Sequence, residues 1–183
     1  MRKLKLQMQI TVDGFVAGPN GELDWMTWDN DDKLIARINE ITDSSDRIVM
    51  GRKMTDGFIN YWTSVQPDSP EYEFAQKMIN IPKVVFSRTL ESSSWVNTTV
   101  ANDIKTDIAA LKEADGKDIV VYGGAGLVTS LVGENLIDDY FLFVNPTAIG
   151  KGMTIFADGR GLKLIDSTAY ACGIVINHYQ PAK

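Results

Sequence analysis

Residues 119–132, with the sequence IVVYGGAGLVTSLV, give the clearest indication of the fold. Residues 119–122 form a short run of β-branched and aromatic side chains, which predicts a buried strand. Two glycines follow this run, and residues 125–132 then predict a helix. A buried strand that passes through glycines into a helix is typical of an open α/β sheet, in which ligands bind at the carboxyl ends of the strands.

The same arrangement occurs after two other apolar runs, residues 48–50 and residues 83–86. Segments made mostly of small, hydroxylated or basic residues follow all three runs. They are Gly51, Arg52, Lys53 and Met54 after the first run, Ser87, Arg88 and Thr89 after the second, and Gly123, Gly124, Ala125, Gly126 and Leu127 after the third.

These residue types suit a phosphorylated dinucleotide. Helix N-termini offer unpaired N–H groups to a phosphate, and glycines let the backbone approach it closely. Arg52, Lys53 and Arg88 add positive charge, and Ser87 and Thr89 add hydroxyl donors, which favours NADP(H) over NAD(H). Each turn alone is also compatible with ordinary packing or a solvated charge pair, so the prediction rests on their joint placement. The glycine spacing differs from the Rossmann G-x-G-x-x-G pattern.

The rest of the chain alternates predicted strands and helices. Residues 3–10 alternate polar and apolar side chains, which predicts a strand with one buried face. Helices are predicted from Asp31 to Ile41 with acidic caps at residues 29–32, then over residues 71–79 and 103–113. Further strands are predicted over residues 95–101 and 140–144, and residues 162–167 and 174–179 form a closing antiparallel pair. We therefore predict one α/β domain over residues 1–183, with a central, mostly parallel sheet, flanking helices and antiparallel C-terminal edge strands.

Composition limits the possible functions. The net charge of −6 and the isoelectric point near 4.8 argue against a nucleic-acid partner, which needs a basic face. No apolar run is long enough to span a membrane, so no membrane partner is expected. Cys172 is the single cysteine, which excludes an internal disulfide and agrees with a cytoplasmic location. One cysteine and one histidine provide no zinc motif, and no metal site is predicted.

Several motifs together carry a family resemblance, and they occur in order along most of the chain. They are residues 12–21 (VDGFVAGPNG), 23–26 (LDWM), 50–52 (MGR), 86–88 (FSR), 122–126 (YGGAG), Pro146, 150–152 (GKG) and 155–156 (IF). In these motifs the chain resembles the dihydrofolate-reductase-like superfamily. It is most similar to the family of the C-terminal reductase domain of the bifunctional riboflavin-biosynthesis protein and its stand-alone relatives.

The resemblance implies an NADPH-dependent reductase that acts on a pteridine, a pyrimidinone or a related nitrogen heterocycle. One implied activity is that of a 5-amino-6-(5-phosphoribosylamino)uracil reductase in riboflavin biosynthesis. NADPH would lie along the strand ends, with its pyrophosphate on residues 51–54 and 123–127 and its 2′-phosphate on Ser87 and Arg88. The loop that contains Val16 and Ala17 would close over the nicotinamide, and a homodimer would form through the late strands.

The proton donor is less clearly marked. The superfamily's folate enzymes place a carboxylate on the first helix, but the corresponding count lands near Leu34 and Ile35, which cannot donate a proton. We name Asp13 and Asp32 as candidate catalytic residues among the nearby acids. Asp13 is equally well explained as a turn residue before a glycine, and Asp32 is more simply explained as part of a helix cap.

Aromatic residues provide candidate walls for a flat substrate: Trp25, Trp28 and Phe58. Each is also compatible with a role in the core or in a dimer interface, and such a core or interface role is the preferred prediction for Trp62. His178 is predicted to be structural. Two alternatives stay open beside the reductase: dihydrofolate reductase activity proper, and an NADP-binding module that has lost catalysis.

Overall fold

The computed structural model describes residues 1–28 and 31–182. In this part of the chain the strands are β1 (Leu4–Thr11), β2 (Ser45–Gly51), β3 (Lys83–Phe86), β4 (Thr98–Ala101), β5 (Asp118–Gly123), β6 (Asp139–Asn145), β7 (Leu162–Ala169) and β8 (Val175–Pro181). The helices are α1 (Asp32–Asp43), α2 (Arg52–Ser64), α3 (Tyr72–Asn80), α4 (Ile104–Glu113) and α5 (Ala125–Gly133).

These strands form one sheet in the order β4-β3-β2-β5-β1-β6-β8-β7. The six strands from β4 to β6 are parallel, and β8 and β7 are added antiparallel at one edge. The predicted α/β class, the mostly parallel sheet and the antiparallel C-terminal pair are therefore confirmed. β7 exposes Leu164 and Ile165 on the last strand of this sheet, and homodimer formation through it stays a prediction.

Helices cover both faces of the sheet. Ile108 of α4 and Leu131 of α5 share one buried apolar cluster with Leu6 of β1. Met78 of α3 shares a cluster on the opposite face with Met50 of β2, and the partly buried Phe58 of α2 packs against it. Right-handed crossovers produce this division, because connections that run toward β4 and connections that run toward β6 fall on opposite faces.

The burial of β1 differs from the prediction of one buried face. Its alternating sequence predicts one buried face, but Gln7 is only 9% exposed and Lys5 and Gln9 are half-buried. The reason is position: β1 lies between β5 and β6, and Leu34 and Ile41 of α1 form an apolar cluster on the face that carries these polar residues. The alternation therefore marks two different covered faces rather than a core face and a solvent face.

The fourth strand is shorter than predicted, since residues 95–97 lie outside β4. Trp95 instead turns toward α2, where its indole Nε1 donates a hydrogen bond to Asp56 Oδ1 at 3.1 Å. The segment between β3 and β4 thereby packs on the same helix that starts at Gly51.

Lys83 at the start of β3 is a buried cation with no carboxylate partner among the described residues. It is 2% exposed, and its Nζ donates to the carbonyl oxygens of Ile79 and Ile81 at 2.8 Å each. Phe58 and Trp62 line a small apolar cavity beside it. Burial lowers the pKa of Lys83 to about 8.

This burial predicts a pH-dependent stability. Lysine in the unfolded chain keeps a pKa near 10.5, so the unfolded state binds more protons than the folded state between about pH 8 and about pH 10. The free energy of unfolding contributed by Lys83 should therefore rise with pH across this interval. Urea unfolding of the wild type and of Lys83→Met, repeated across the interval, should show the wild type gaining relative to the variant. Two parallel curves would contradict the assignment.

Candidate functional site

The candidate site lies where the connections that follow two neighbouring strands, β2 and β5, leave toward opposite sides of the sheet. From β2 the chain runs through α2 and α3 toward β3 at one side of the sheet, and from β5 it runs through α5 toward β6 at the other side. The neighbouring carboxyl ends of β2 and β5 thus form the switch point at which open α/β sheets bind ligands.

Two glycine turns meet at this switch point. A Cβ atom built on Gly124 would lie 3.1 Å from the Cα atom and 3.3 Å from the backbone nitrogen of Gly51. Gly123 and Gly124 also have φ values of +132° and +85°, a region that other residues rarely adopt. Steric contact and backbone conformation therefore both require glycine at position 124.

The helices that start at these turns have no side-chain caps. Gly51 and Gly124 are the N-cap residues of α2 and α5, and neither can accept a hydrogen bond from the first helical turn through a side chain. By contrast, Asp31 caps α1 and Asp103 caps α4 with their carboxylates. The first-turn N–H groups of α2 and α5 are thus left for another acceptor, and a bound phosphate is one that helix N-termini favour.

The turn after β3 has a defined local structure. The Ser87 hydroxyl oxygen accepts the backbone N–H groups of Thr89 at 3.2 Å and Leu90 at 3.0 Å. Ser87 is buried, whereas Arg88 and Thr89 are exposed. Within the described chain Arg88 forms no ion pair. The Ser87 hydroxyl proton is not used in these two bonds, so it can still be donated.

Arg52 and Lys53, both predicted to bind cofactor, differ in their surroundings. The Arg52 guanidinium lies 2.9 Å from Asp56 Oδ2 and 5.0 Å from the centre of the Trp95 ring. Its charge is therefore partly matched by Asp56, while Lys53 is exposed. Trp95, which the sequence placed in a strand, instead orients Arg52 at the start of α2.

The loop that contains Val16 and Ala17 is docked against the chain that follows β6. Val16 N donates to Met153 O, and Met153 N donates to Ala17 O, both at 2.8 Å. Val16 and Ala17 are buried, and a Cβ atom on Gly152 would overlap the Ala17 carbonyl oxygen. The two loops thus form one unit beside the end of β1.

Asp13 joins the same two loops. Its carboxylate accepts the backbone N–H groups of Ile149 at 3.1 Å and Gly150 at 2.7 Å. A hydrogen bond from Thr11, together with those from Gly150 and Ile149, holds the pKa of Asp13 below its ordinary value. An acid that is ionised more readily is a poorer proton donor near neutral pH, so the geometry favours a loop-positioning role for Asp13 over the catalytic role.

The two described acids at the start of α1 have different roles: Asp31 caps the helix, and Asp32 is exposed. Asp31 is the N-cap: its Oδ1 accepts Lys33 N and Leu34 N, and its Oδ2 accepts Ala171 N at 2.7 Å. Asp32 is the first helical residue and is exposed. Asp29, a further predicted cap, lies outside the described residues. The cap explanation is thus observed for Asp31, and the proton-donor role of Asp32 stays a prediction.

Of the three predicted aromatic walls, two are packed inside. Trp25 is 8% exposed, and its Nε1 donates to Glu22 O at 3.2 Å. Phe58 is half-buried and packs against Trp62 and Tyr122, with ring centroids 6.2 Å and 5.8 Å apart, and Trp62 is half-buried in the same cluster. This packing limits the ring surface that Trp25 and Phe58 offer to a flat ligand, and their substrate role stays a prediction.

Trp28 is the aromatic wall that stays accessible. It is 69% exposed, and its ring centroid lies 6.5 Å from that of Tyr61 on α2. Trp28 thus places an indole beside α2, where a flat ring could stack.

Asn145, at the end of β6, was missed by sequence reasoning. It is fully buried. Its side-chain Nδ2 donates hydrogen bonds to Gln9 Oε1 at 2.7 Å and to the backbone oxygen of Phe143 at 3.0 Å. Its Oδ1 accepts a hydrogen bond from the backbone nitrogen of Thr27 at 2.8 Å. These bonds fix the segment that carries Trp28 onto the carboxyl edge of the sheet. The available signal was a polar residue that ends an apolar run directly before Pro146.

No described helix is both long and apolar enough to cross a membrane. No cluster of three or more His, Cys, Asp or Glu side chains that could hold a metal ion occurs in residues 1–28 and 31–182.

Comparison with known proteins gives consistent matches over nearly the whole chain. The protein YyaP of Bacillus subtilis (strain 168), which is uncharacterised, is 32% identical over 177 residues, or 95% of this chain and 92% of that protein. The riboflavin biosynthesis protein RibD of Corynebacterium ammoniagenes is 24% identical over 157 residues, or 83% of this chain and 45% of that protein.

The fold has a matching solved structure. It is the diaminohydroxyphosphoribosylaminopyrimidine deaminase/5-amino-6-(5-phosphoribosylamino)uracil reductase of Thermotoga maritima, with a TM-score of 0.69 at 17% identity. That match covers 99% of this chain and 57% of the solved chain. A profile of the RibD C-terminal domain matches residues 2–176. The chain therefore belongs to the RibD C-terminal domain family of reductases, with a dihydrofolate-reductase-like fold.

Proposed function

We propose that this protein is an NADPH-dependent reductase that transfers a hydride to a flat nitrogen heterocycle or to an open-chain ribosylamine attached to one. The observation that carries the proposal is the meeting of two uncapped helix N-termini at the sheet's switch point, through Gly51 and Gly124. Both first turns can direct N–H groups at one pyrophosphate, which is how helix starts bind dinucleotides.

The preference for NADPH over NADH rests on the turn after β3. Ser87 fixes this turn through its bonds to Thr89 and Leu90, and Arg88 is exposed beside it without an ion-pair partner among the described residues. A guanidinium can form two parallel hydrogen bonds with a phosphate, which suits the 2′-phosphate of the adenosine ribose.

When bound, NADPH would supply the hydride. The chain's own residues would bind the phosphates, orient the acceptor and exclude water. The loop unit joined by Val16, Ala17 and Met153 would border the nicotinamide, and the exposed Trp28 would stack on the acceptor ring. Asp32 stays a candidate proton donor, and water is the other possible source.

The acceptor is proposed from the family. A pyrimidinone such as 5-amino-6-(5-phosphoribosylamino)uracil would match the reductase activity named for the Thermotoga maritima relative, and a pteridine is the related heterocycle that we propose beside it. Dihydrofolate reductase activity proper is less well supported, because buried Leu34 and its neighbour Ile35 stand where the folate enzymes have a carboxylate. Consumption of NADPH with an acceptor panel separates a reductase from a non-catalytic NADP-binding module.

Arg88→Ala tests the cofactor assignment. Tryptophan fluorescence titrations should show that the wild type binds NADPH more tightly than NADH, and the variant should weaken NADPH binding about tenfold or more while changing NADH binding little. Lys105→Ala, which removes an exposed charge on α4, is the control for net charge. Equal weakening of both cofactors would contradict a 2′-phosphate contact at Arg88, and no binding of either by the wild type would overturn the proposed function.

Gly124→Ala tests the contact between the two turns. The new Cβ atom would press on the Gly51 backbone at a positive φ, so we expect a loss of about 1–3 kcal/mol in stability and weaker NADPH binding. Gly57→Ala in α2 is the control: its Cβ meets nothing within 4 Å, and it should leave binding unchanged and stabilise the helix slightly. A Gly124→Ala protein that is as stable as the wild type and binds NADPH normally would show that the turns do not form the site.

A further inference from the structure

The face of β1 that is turned toward α1 carries three polar residues in a largely apolar sheet: Lys5, Gln7 and Gln9. Lys5 is explained by the fold, because its Nζ lies 2.7 Å from Asp118 Oδ2 and donates to Ser44 Oγ at 2.8 Å. The two glutamines are not explained in this way. Among the described residues, Gln7 forms no side-chain hydrogen bond, and the amide of Gln9 is bonded only through its oxygen.

The orientation of the Gln9 amide follows from its neighbours. Asn145 has a fixed orientation, because its Oδ1 accepts the backbone N–H of Thr27 and its Nδ2 donates to the backbone oxygen of Phe143. Gln9 must therefore present its oxygen to Asn145 Nδ2, at 2.7 Å. Its own NH₂ group then points away from Asn145, and no described residue accepts a hydrogen bond from it.

Gln7 has no side-chain hydrogen-bond partner among the described residues. It is 9% exposed, and its side-chain oxygen is fully buried without a hydrogen-bond donor. A buried carbonyl without a donor costs stability, so it calls for a reason other than folding.

The two side chains share a face and lead to the switch point. They are two residues apart on one strand, and so point to the same side of the sheet about 7 Å apart. Leu6 of β1 is in register with Val121 of β5, so the two strands run side by side toward the turn at Gly123 and Gly124. The buried acceptor of Gln7 and the unpaired donor of Gln9 therefore lie on one face of the strand next to β5.

We propose that Gln7 and Gln9 recognise an amide group of the bound ligand. The Gln9 NH₂ group would donate to the ligand's carbonyl oxygen, and the Gln7 oxygen would accept the ligand's adjacent N–H. This inference rests on the proposed function. It makes the two glutamines determinants of specificity. The amide belongs either to the nicotinamide carboxamide of the cofactor or to a ring lactam of the acceptor.

Gln9→Glu is the sharpest variant. It keeps an oxygen for Asn145 Nδ2 but replaces the outward NH₂ group by a second acceptor oxygen, which would repel a ligand carbonyl. Gln7→Met keeps a similar volume and removes the buried carbonyl. Gln66→Met, an exposed glutamine in the loop after α2, is the matched control.

Three probes separate the two sources of the amide. Isothermal titration of each protein would first use NADPH, and then 2′-phospho-ADP-ribose, which lacks the nicotinamide. The third ligand is lumazine, a pteridine with ring lactams, which would be titrated in the presence of NADP⁺. A loss of about tenfold or more for NADPH, with 2′-phospho-ADP-ribose unchanged, would identify the nicotinamide as the ligand of the glutamines. A similar loss for lumazine alone would identify the acceptor.

A stability measurement provides the second readout. If the Gln7 oxygen is kept for a ligand, Gln7→Met should raise the midpoint of thermal unfolding of the ligand-free protein, because it removes an unsatisfied buried group. Wild-type affinity for all three probes in both variants, or a lower midpoint for Gln7→Met, would overturn the glutamine proposal and leave the proposed function standing. A wild type that binds neither NADPH nor 2′-phospho-ADP-ribose would overturn both.

Discussion

The contact between the backbones of Gly51 and Gly124 is the constraint on which the site depends. It brings together the ends of β2 and β5, from which the chain departs in opposite directions, and it leaves no room for a Cβ atom at position 124. Because both turns are glycine, α2 and α5 start without side-chain caps next to one another. The same steric requirement thus joins the two crossovers and leaves a pair of helix N-termini open to an anion.

Around this contact the sheet buries polar side chains, which stability alone would not favour over apolar ones. Asn145 is completely buried but fully bonded, and it ties the segment of Thr27 to the edge of the sheet. Gln7 is almost as deeply buried and lacks a donor for its oxygen. The contrast distinguishes Asn145, whose hydrogen bonds the fold satisfies, from Gln7, whose buried oxygen we propose to be paired by a ligand.

The sequence predicted the fold well because strands that are buried on both faces appear as continuous apolar runs, as at residues 119–122 and 140–144. It misjudged β1, since an alternating pattern does not reveal whether a helix covers the polar face. The prediction of Trp25 and Phe58 as substrate walls rested on aromatic bulk alone, which does not show how far each ring is packed in the fold. Asn145 could not be paired with Thr27 from sequence, since 118 residues separate two groups that only the completed sheet brings together.

We expect a dinucleotide phosphate to bind at the two glycine turns, and a ¹H–¹⁵N NMR titration of the labelled protein with NADP⁺ tests this prediction. The largest shifts should occur at the backbone amides of residues 52–54 and 125–127, with a second group at Ser87, Arg88 and Thr89. Shifts confined to other parts of the sheet, or none at saturating NADP⁺, would contradict it.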